Sequence, residues 1–128
     1  MEVGTVRGDE RPDDKLAPAK NISRGMVGLY KEYLGRGPTK AKTWLRDELV
    51  VTVLEDGLTK AEQTLTKGGS PQTVRGIRRE FQDAMRDDII ALVERETGRS
   101  AVCMLSDHSP DPDYAVEVVV LAPQAFAA

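Results

Sequence analysis

The sequence contains little of several residue types that mark common protein classes. Of its 128 residues, one is cysteine, one is histidine and 5% are aromatic. A single cysteine excludes an internal disulfide and argues against a cysteine-ligated zinc site. No apolar run reaches the roughly 18–20 residues that span a bilayer, so we expect no insertion into a membrane. The first residues lack the basic and apolar segments of a signal peptide, which predicts a cytoplasmic protein.

The charge balance argues against a further class, the basic nucleic-acid binders. The chain has 21 acidic and 18 basic residues, which give a formal net charge of -3. Domains that bind nucleic acid are usually basic, with a pI above about 9, whereas the pI of this sequence is about 5.2. We therefore expect no nucleic-acid partner. The length fits one domain, since single cores of roughly 100–150 residues are the commonest size.

Composition divides the chain into one folded unit between two tails. Residues 1–20 are rich in charge, contain two prolines and include few large apolar side chains. Such a segment buries too little apolar surface to offset the loss of backbone entropy, on the order of 1–2 kcal/mol per residue. We expect disorder over residues 1–20, a single α+β domain over residues 21–122 and a short C-terminal tail over residues 123–128.

Hydrophobic periodicity and end signals predict three helices and four strands. The first helix covers residues 23–34, and a hairpin follows with strands over 40–45 and 49–55. Thr59-Lys60-Ala61-Glu62 is a capping box that begins a short helix to Lys67. The main helix runs from Pro71 to about Thr97. Strands over 101–105 and 114–121 close the domain, joined by a loop over 106–113.

This order, α-β-β-α-α-β-β, predicts an α+β fold. Two hairpins can form one antiparallel sheet of about four strands, with the helices packed on one face. The other face should then be polar, but residues 50–53 and 118–121 are almost continuous apolar runs. We therefore expect a second layer, supplied by sheet-to-sheet dimerisation or edge pairing, and predict a homodimer.

The main helix has an apolar stripe and a basic flank. On a helical wheel the stripe consists of Val74, Ile77, Phe81, Met85, Ile89 and Leu92, with Asp88 close to it and in need of a partner. The flank consists of Arg75, Arg78, Arg79, Gln82 and Arg86. Guanidinium groups bind carboxylates and phosphates in a bidentate manner, so the flank could hold an anion. The alternative, which we favour, is a solvated face with ion pairs such as Arg79–Asp83.

The single histidine lies among acidic residues in the predicted loop. Asp107, His108 and Asp111 are weak candidates for a divalent-metal or acid–base site. We favour a solvated turn, because Asp, Ser and Pro are typical turn residues and the spacing matches neither an EF-hand nor a zinc motif. We expect no metal and no other cofactor. Cys103, among apolar strand residues, is expected in the core and not as a nucleophile.

Short motifs spread along the chain resemble a known family in their order and spacing. They are Gly35-Arg36-Gly37-Pro38, Leu54-Glu55-Asp56-Gly57-Leu58-Thr59 with Glu62, then Arg79, Thr97-Gly98, Ser106-Asp107 and the strand Val116–Leu121. Over residues 23–121 the sequence resembles the MpsC-type domain family. The resemblance implies a small accessory or regulatory protein of a sodium-linked system that generates a membrane potential and serves inorganic-carbon uptake. It implies no catalytic residues.

These observations lead to three functional hypotheses. The first is a non-enzymatic interaction module, a cytoplasmic homodimer that docks on a partner protein or membrane complex. The second is a small-ligand or anion-binding regulatory domain that uses the basic flank. Its candidate ligand-binding residues are Arg36, Arg75, Arg79 and Asp107. The third, a metal-dependent enzyme at Asp107 and His108, has the least support, and we expect no catalytic activity.

Overall fold

The structure of the protein, a computed structural model, describes residues 1–8 and 17–124 and is built on a five-stranded antiparallel sheet. The strands lie in the order β1-β2-β3-β5-β4, and α1 and α3 pack on one face. In chain order the elements are β1 (Glu2–Arg7), α1 (Pro18–Leu34), β2 (Lys40–Arg46), β3 (Leu49–Glu55), α2 (Lys60–Lys67), α3 (Pro71–Thr97), β4 (Ala101–Pro110) and β5 (Asp113–Leu121). After β1, the predicted order is confirmed, but the sheet has five strands instead of about four.

The additional strand is formed by N-terminal residues, so the expectation of disorder was wrong for residues 2–7. The backbone of β1 pairs with β2 from Glu2↔Leu45 to Arg7↔Lys40, and Val6 is buried. An edge strand with paired backbone groups needs few apolar side chains, and composition alone does not reveal that pairing. Helix α1 also begins earlier than predicted, at Pro18. Residues 9–16 and 125–128, which belong to the two predicted tails, lie outside the described residues.

The core lies between α1, α3 and the inner face of the sheet. Its largest apolar members are Ile22, Met26, Tyr30, Val50, Leu54, Met85, Ile89 and Leu121. Gly25 allows α1 to approach α3, because a Cβ atom at this position would lie 2.5 Å from Cδ1 of Leu92. Tyr33 donates a hydrogen bond to Asp88 at 2.5 Å, which confirms that Asp88 has a partner.

The buried side of helix α3 lies closer to its basic flank than the sequence predicts. Its buried residues are Val74, Arg78, Gln82, Met85, Ile89, Leu92 and Val93. Ile77 and Phe81, predicted in the buried stripe, are only half-buried. Arg78 and Gln82, predicted on a solvated flank, are 1% and 3% exposed. A helical wheel ranks residues by polarity alone and therefore misses polar side chains that find buried partners.

The predicted loop over residues 106–113 is mostly strand. Strand β4 continues to Pro110 and β5 begins at Asp113, so only Asp111 and Pro112 form the turn. The interpretation of His108 as part of a solvated turn was therefore wrong, since its side chain is buried. Ser106 and Asp107 are tolerated in β4 because Glu117 and Arg75 pair with their side chains.

Candidate functional site

Arg36 is bound to the turn over residues 56–59, which joins β3 to α2. Its Nη1 donates hydrogen bonds to the carbonyl oxygens of Asp56 at 2.8 Å and Leu58 at 2.7 Å. Its Nη2 lies 3.5 Å from Oδ2 of Asp56. Asp113 holds the same turn by accepting a hydrogen bond from the backbone N–H of Leu58 at 2.9 Å. The structure therefore gives Arg36, a predicted ligand residue, a structural role.

A buried ion pair joins α2 to α3. Arg78 donates from Nε to Oε2 of Glu62 at 2.8 Å and from Nη2 to Oε1 at 2.7 Å. Its Nη2 also donates to the carbonyl oxygen of Gly57 at 2.6 Å, and Glu62 completes the predicted capping box with Thr59. Burial alone would raise the pKa of Glu62, but the hydrogen bonds from Arg78 and Thr59 outweigh it and hold that pKa below its usual value. The pair is thus charged at neutral pH.

A second buried carboxylate, Glu117, lies on the inner face of β5. Its Oε1 accepts hydrogen bonds from the Tyr30 hydroxyl at 2.5 Å and from Nε2 of Gln82 at 3.1 Å. Its Oε2 accepts one from the Ser106 hydroxyl. Burial raises the pKa of Glu117 to about 6, although all three hydrogen bonds act in the opposite direction. Burial, and then the charge of Glu117, raises the pKa of Tyr30 well above its usual value.

Glu117 belongs to a polar row that crosses the whole inner face of the sheet. Strand register places side by side Gly4, Thr43, Thr52, Glu117 and Ser106. The hydroxyls of Thr43 and Thr52 share a hydrogen bond of 2.8 Å, and Ser23 of α1 bonds to Thr43 at 2.7 Å. The row can lie beneath the helices because its polar groups are paired, although burial still raises the pKa of Glu117.

The remaining predicted ligand residues lie together on α3 and β4. Nη2 of Arg75 is 3.2 Å from Oδ2 of Asp107. The backbone N–H of His108, then the charges of Arg75 and Arg79, hold the pKa of Asp107 below its usual value even though partial burial opposes them. Within residues 1–8 and 17–124, Arg79 forms no ion pair, so the expected Arg79–Asp83 pair is not made.

A cleft of about 230 Å³ opens between α3 and β4 beside these residues. It is lined by Arg79, Gln82, Asp83, Arg86, Met104 and Ser106. Gln82 and Ser106 both donate hydrogen bonds to Glu117, so the buried carboxylate lies directly behind the floor of the cleft. The cleft therefore combines two guanidinium groups at its opening with a titratable acid beneath it.

His108 has a buried imidazole on β4. Its Nε2 lies 3.6 Å from Oδ1 of Asp113, and its Nδ1 has no hydrogen-bond partner among the described residues. Asp111 is exposed at the adjacent turn. In the part of the chain that the structure describes, no group of three or more His, Cys, Asp or Glu side chains could hold a metal ion.

The sheet face opposite the helices, here called the open face, is largely apolar. Strand register aligns one row across all five strands, Val3–Trp44–Val51–Val118–Leu105. Val3 is 45% exposed and Leu105 is 62% exposed. Cys103 lies in a neighbouring row opposite Val120 and is only half-buried, so its assignment to the core was wrong. As expected from the sequence, the central strands are therefore largely apolar on both faces although the helices cover only one of them.

Sequence reasoning identified Glu62 through its capping box but missed the partner Arg78 and the acceptor Glu117. One signal for Glu117 is present in the sequence. In β5, Ala115, Glu117, Val119 and Leu121 occupy alternate positions, so a charged residue shares a strand face with three apolar ones. A buried charge in such a position needs partners, but strand alternation does not say which residues supply them.

The geometry can be compared with known proteins. A family described as "Na+-translocating membrane potential-generating system (MpsC)" matches residues 15–123. The chain belongs to the MpsC family. This match includes every described element except β1, and it confirms the resemblance seen over residues 23–121. No curated protein and no solved structure gives a match.

The family description bears on the possible function of these sites. The family is named for a Na+-translocating system that generates a membrane potential. Among the helices that the structure describes, none combines the length and the apolar character required to cross a bilayer.

Proposed function

We propose that this MpsC protein is a non-enzymatic accessory module that acts in the cytoplasm as a homodimer, in which two copies pack through their open faces. The observation that carries the proposal is the apolar row Val3–Trp44–Val51–Val118–Leu105. Contiguous apolar patches of more than a few hundred Å² on soluble proteins are typical of interaction sites. Packing of two such faces would supply the second layer that the valine-rich strands require.

The size of the open face reaches the lower end of the range for specific interfaces. Five strands about 4.8 Å apart, with about seven residues each and a rise of about 3.3 Å per residue, give a face of roughly 550 Å² per copy. Two copies would bury roughly 1,100 Å² in total, and specific interfaces generally exceed about 1,000 Å². Sheets packed face to face, with their strand directions about 30° apart, are a common arrangement.

The distribution of charge favours a second copy as the occupant of the face. Next to the apolar row, the register aligns Thr5–Lys42–Val53–Val116–Asp107. This row has the cation Lys42 on the β2 side of its apolar centre and, on the β4 side, the carboxylate of Asp107, which is also paired with Arg75 of the same copy. A two-fold axis along β3 would place the basic side of each copy against the acidic side of the other. Such self-complementarity is what a two-fold interface requires.

The test is the oligomeric state of the full chain, measured by size-exclusion chromatography with light scattering. We expect the wild type to have the mass of a dimer and Val51→Lys to have the mass of a monomer. Ala91→Lys introduces the same side chain on the exposed side of α3 and is the matched control. It should remain dimeric. A monomeric wild type, or a dimer that persists equally in both variants, would refute packing through the open face.

The dimer would act as an accessory component within the sodium-translocating system that gives the family its name. Because the dimer would form through the open faces, the outer surfaces of α1 and α3 would remain available to bind another protein. Crosslinking in native cells should join the wild-type dimer to a membrane component of that system. Absence of any such product, with the dimer itself crosslinked efficiently, would contradict this part of the proposal.

A further inference from the structure

We infer that the cleft between α3 and β4 binds a small oxyanion, such as an inorganic oxyanion or a carboxylate, and that binding is coupled to protonation of Glu117. The site is separate from the open face, because it lies beside the helices. It therefore does not depend on the proposed dimer, and the two proposals can fail independently.

The arginines of α3 differ in whether they already form ion pairs with other residues of the chain. Arg78 is buried and bound to Glu62 and Gly57, and Arg75 is paired with Asp107. Arg79 and Arg86 are exposed, line the cleft and form no ion pair within the described residues. These two residues are therefore the available part of the predicted basic flank.

The positions of Arg79 and Arg86 allow both to reach one ligand. Residues seven apart on a helix lie on nearly the same side and are about 10.5 Å apart along its axis. Two long side chains can close that distance around an ion held between them. Asp83 is the one acidic residue that lines the cleft, so the lining carries a net positive charge. Guanidinium groups form paired hydrogen bonds with the oxygens of carboxylates and tetrahedral anions.

The floor of the cleft connects the anion to the buried carboxylate. The Ser106 hydroxyl has one proton, and in the structure it is donated inward to Glu117. Nε2 of Gln82 is likewise directed at Glu117 and at the carbonyl oxygen of Asp107. An anion bound above these groups would be repelled by the negative charge of Glu117, which lies directly beneath Ser106 and Gln82. Protonation of Glu117 removes that repulsion and frees the Ser106 hydroxyl to donate into the cleft.

The other charged or titratable groups around Glu117 do not account for a pH dependence of anion binding in its place. Tyr30 of α1 contacts Glu117 and keeps its proton, because its pKa is raised. The charge of Arg78 acts on Tyr30 and is neutralised by Glu62. His108 lies farther along the same face of β4, where it faces Asp113. On β3 the residue opposite Glu117 is Thr52, which does not titrate. Glu117 is thus the buried titrating group that is hydrogen-bonded to the floor residues Gln82 and Ser106.

The experiment is titration of the full chain with sodium sulfate by isothermal calorimetry at constant ionic strength. Sulfate is the chosen probe because its charge does not change between pH 5 and pH 7. These conditions lie one unit below and one unit above the pKa of about 6 for Glu117. If binding requires the protonated form, the competent fraction and the apparent affinity both fall about tenfold between them. Glu117→Gln should bind with equal affinity at both pH values.

The arginine variants separate the site from general attraction of anions. Arg79→Gln/Arg86→Gln should lose sulfate binding at pH 5. Arg95→Gln removes a charge of the same kind from the last turn of α3, where Arg95 is exposed beside Glu96, and should leave binding unchanged. Circular dichroism confirms that each variant is folded. Equal binding by the wild type and the double variant, or no binding by the wild type at pH 5, would overturn the site. Identical wild-type affinity at both pH values would overturn the coupling.

Discussion

Replacement of Arg78 by Met should destabilise the protein far more than the same replacement at Arg79. Arg78→Met keeps an aliphatic chain but removes every donor to Glu62 and to the carbonyl oxygen of Gly57. Glu62, which is 6% exposed, would then carry an uncompensated charge. Removal of one partner of a buried ion pair typically costs about 3–5 kcal/mol of unfolding free energy. That is a large part of the roughly 5–15 kcal/mol that stabilises a typical domain.

Two variants test the reason for this loss. Arg79→Met changes the adjacent residue, which is exposed and forms no ion pair with the described residues, and should alter the unfolding free energy by less than about 0.5 kcal/mol. Glu62→Gln in the Arg78→Met background should restore part of the stability, because glutamine also completes a capping box and carries no charge. The double variant is therefore expected to be more stable than Arg78→Met alone.

The assay is urea unfolding followed by circular dichroism, with the unfolding free energy extrapolated linearly to water. The deficit of Arg78→Met should also shrink in acid. The folded-state pKa of Glu62 lies below its usual value because of Arg78 and Thr59, which together outweigh burial. The stability it contributes is present above the unfolded-state pKa and is lost as the pH falls through the folded-state pKa. If Arg78→Met and Arg79→Met are equally stable at neutral pH, the assigned role of the ion pair is wrong.

Further predictions concern Glu117 and the two glycines inside α1. Because burial raises the folded-state pKa of Glu117 to about 6, the wild type should lose about 2 kcal/mol relative to Glu117→Gln as the pH rises from 4 to 7; parallel stability profiles in urea would contradict this. Gly28→Ala should raise the unfolding free energy by about 0.5–1 kcal/mol, since no atom of the described residues lies within 4 Å of the added Cβ. Gly25→Ala should lower it by about 1–3 kcal/mol, because the Cβ would overlap Leu92. Thermal unfolding of Gly28→Ala and Gly25→Ala tests this difference. Equal changes in the unfolding temperature would contradict the close packing of Gly25 against Leu92.

Most element boundaries were predictable because they depend on local chemistry. The bounds predicted for β3 and α3 agree with the structure. Thr59 and Glu62 form the predicted capping box, and α3 ends at Gly98, whose left-handed conformation is common at helix C-termini. Strand β1 was not predictable in this way, since its stability depends on pairing with β2, more than 30 residues later in the chain.

The candidate site was predicted only in part. Arg79 belongs to the cleft, and Arg75 and Asp107 lie beside it as a pair, but Arg36 holds a turn. Arg86 was placed on the correct flank without being chosen as a ligand residue. Helical periodicity identifies which side of α3 is basic. It does not indicate that Arg78 is bound by Glu62 while Arg79 has no ion pair among the described residues, because neighbouring residues of one type have the same local signal.

The sequence by itself determined the α+β class, the order of elements after β1 and the apolar character of the central strands. These properties follow from spacing, end signals and residue type, all of which act over a few neighbouring residues. The tertiary structure alone decided that a polar row crosses the inner face beneath the helices, while an entirely apolar row lies on the open face. It also placed Glu117 behind the cleft. Burial of a charged or polar group depends on partners that are distant in the chain, and only the folded arrangement brings those partners together.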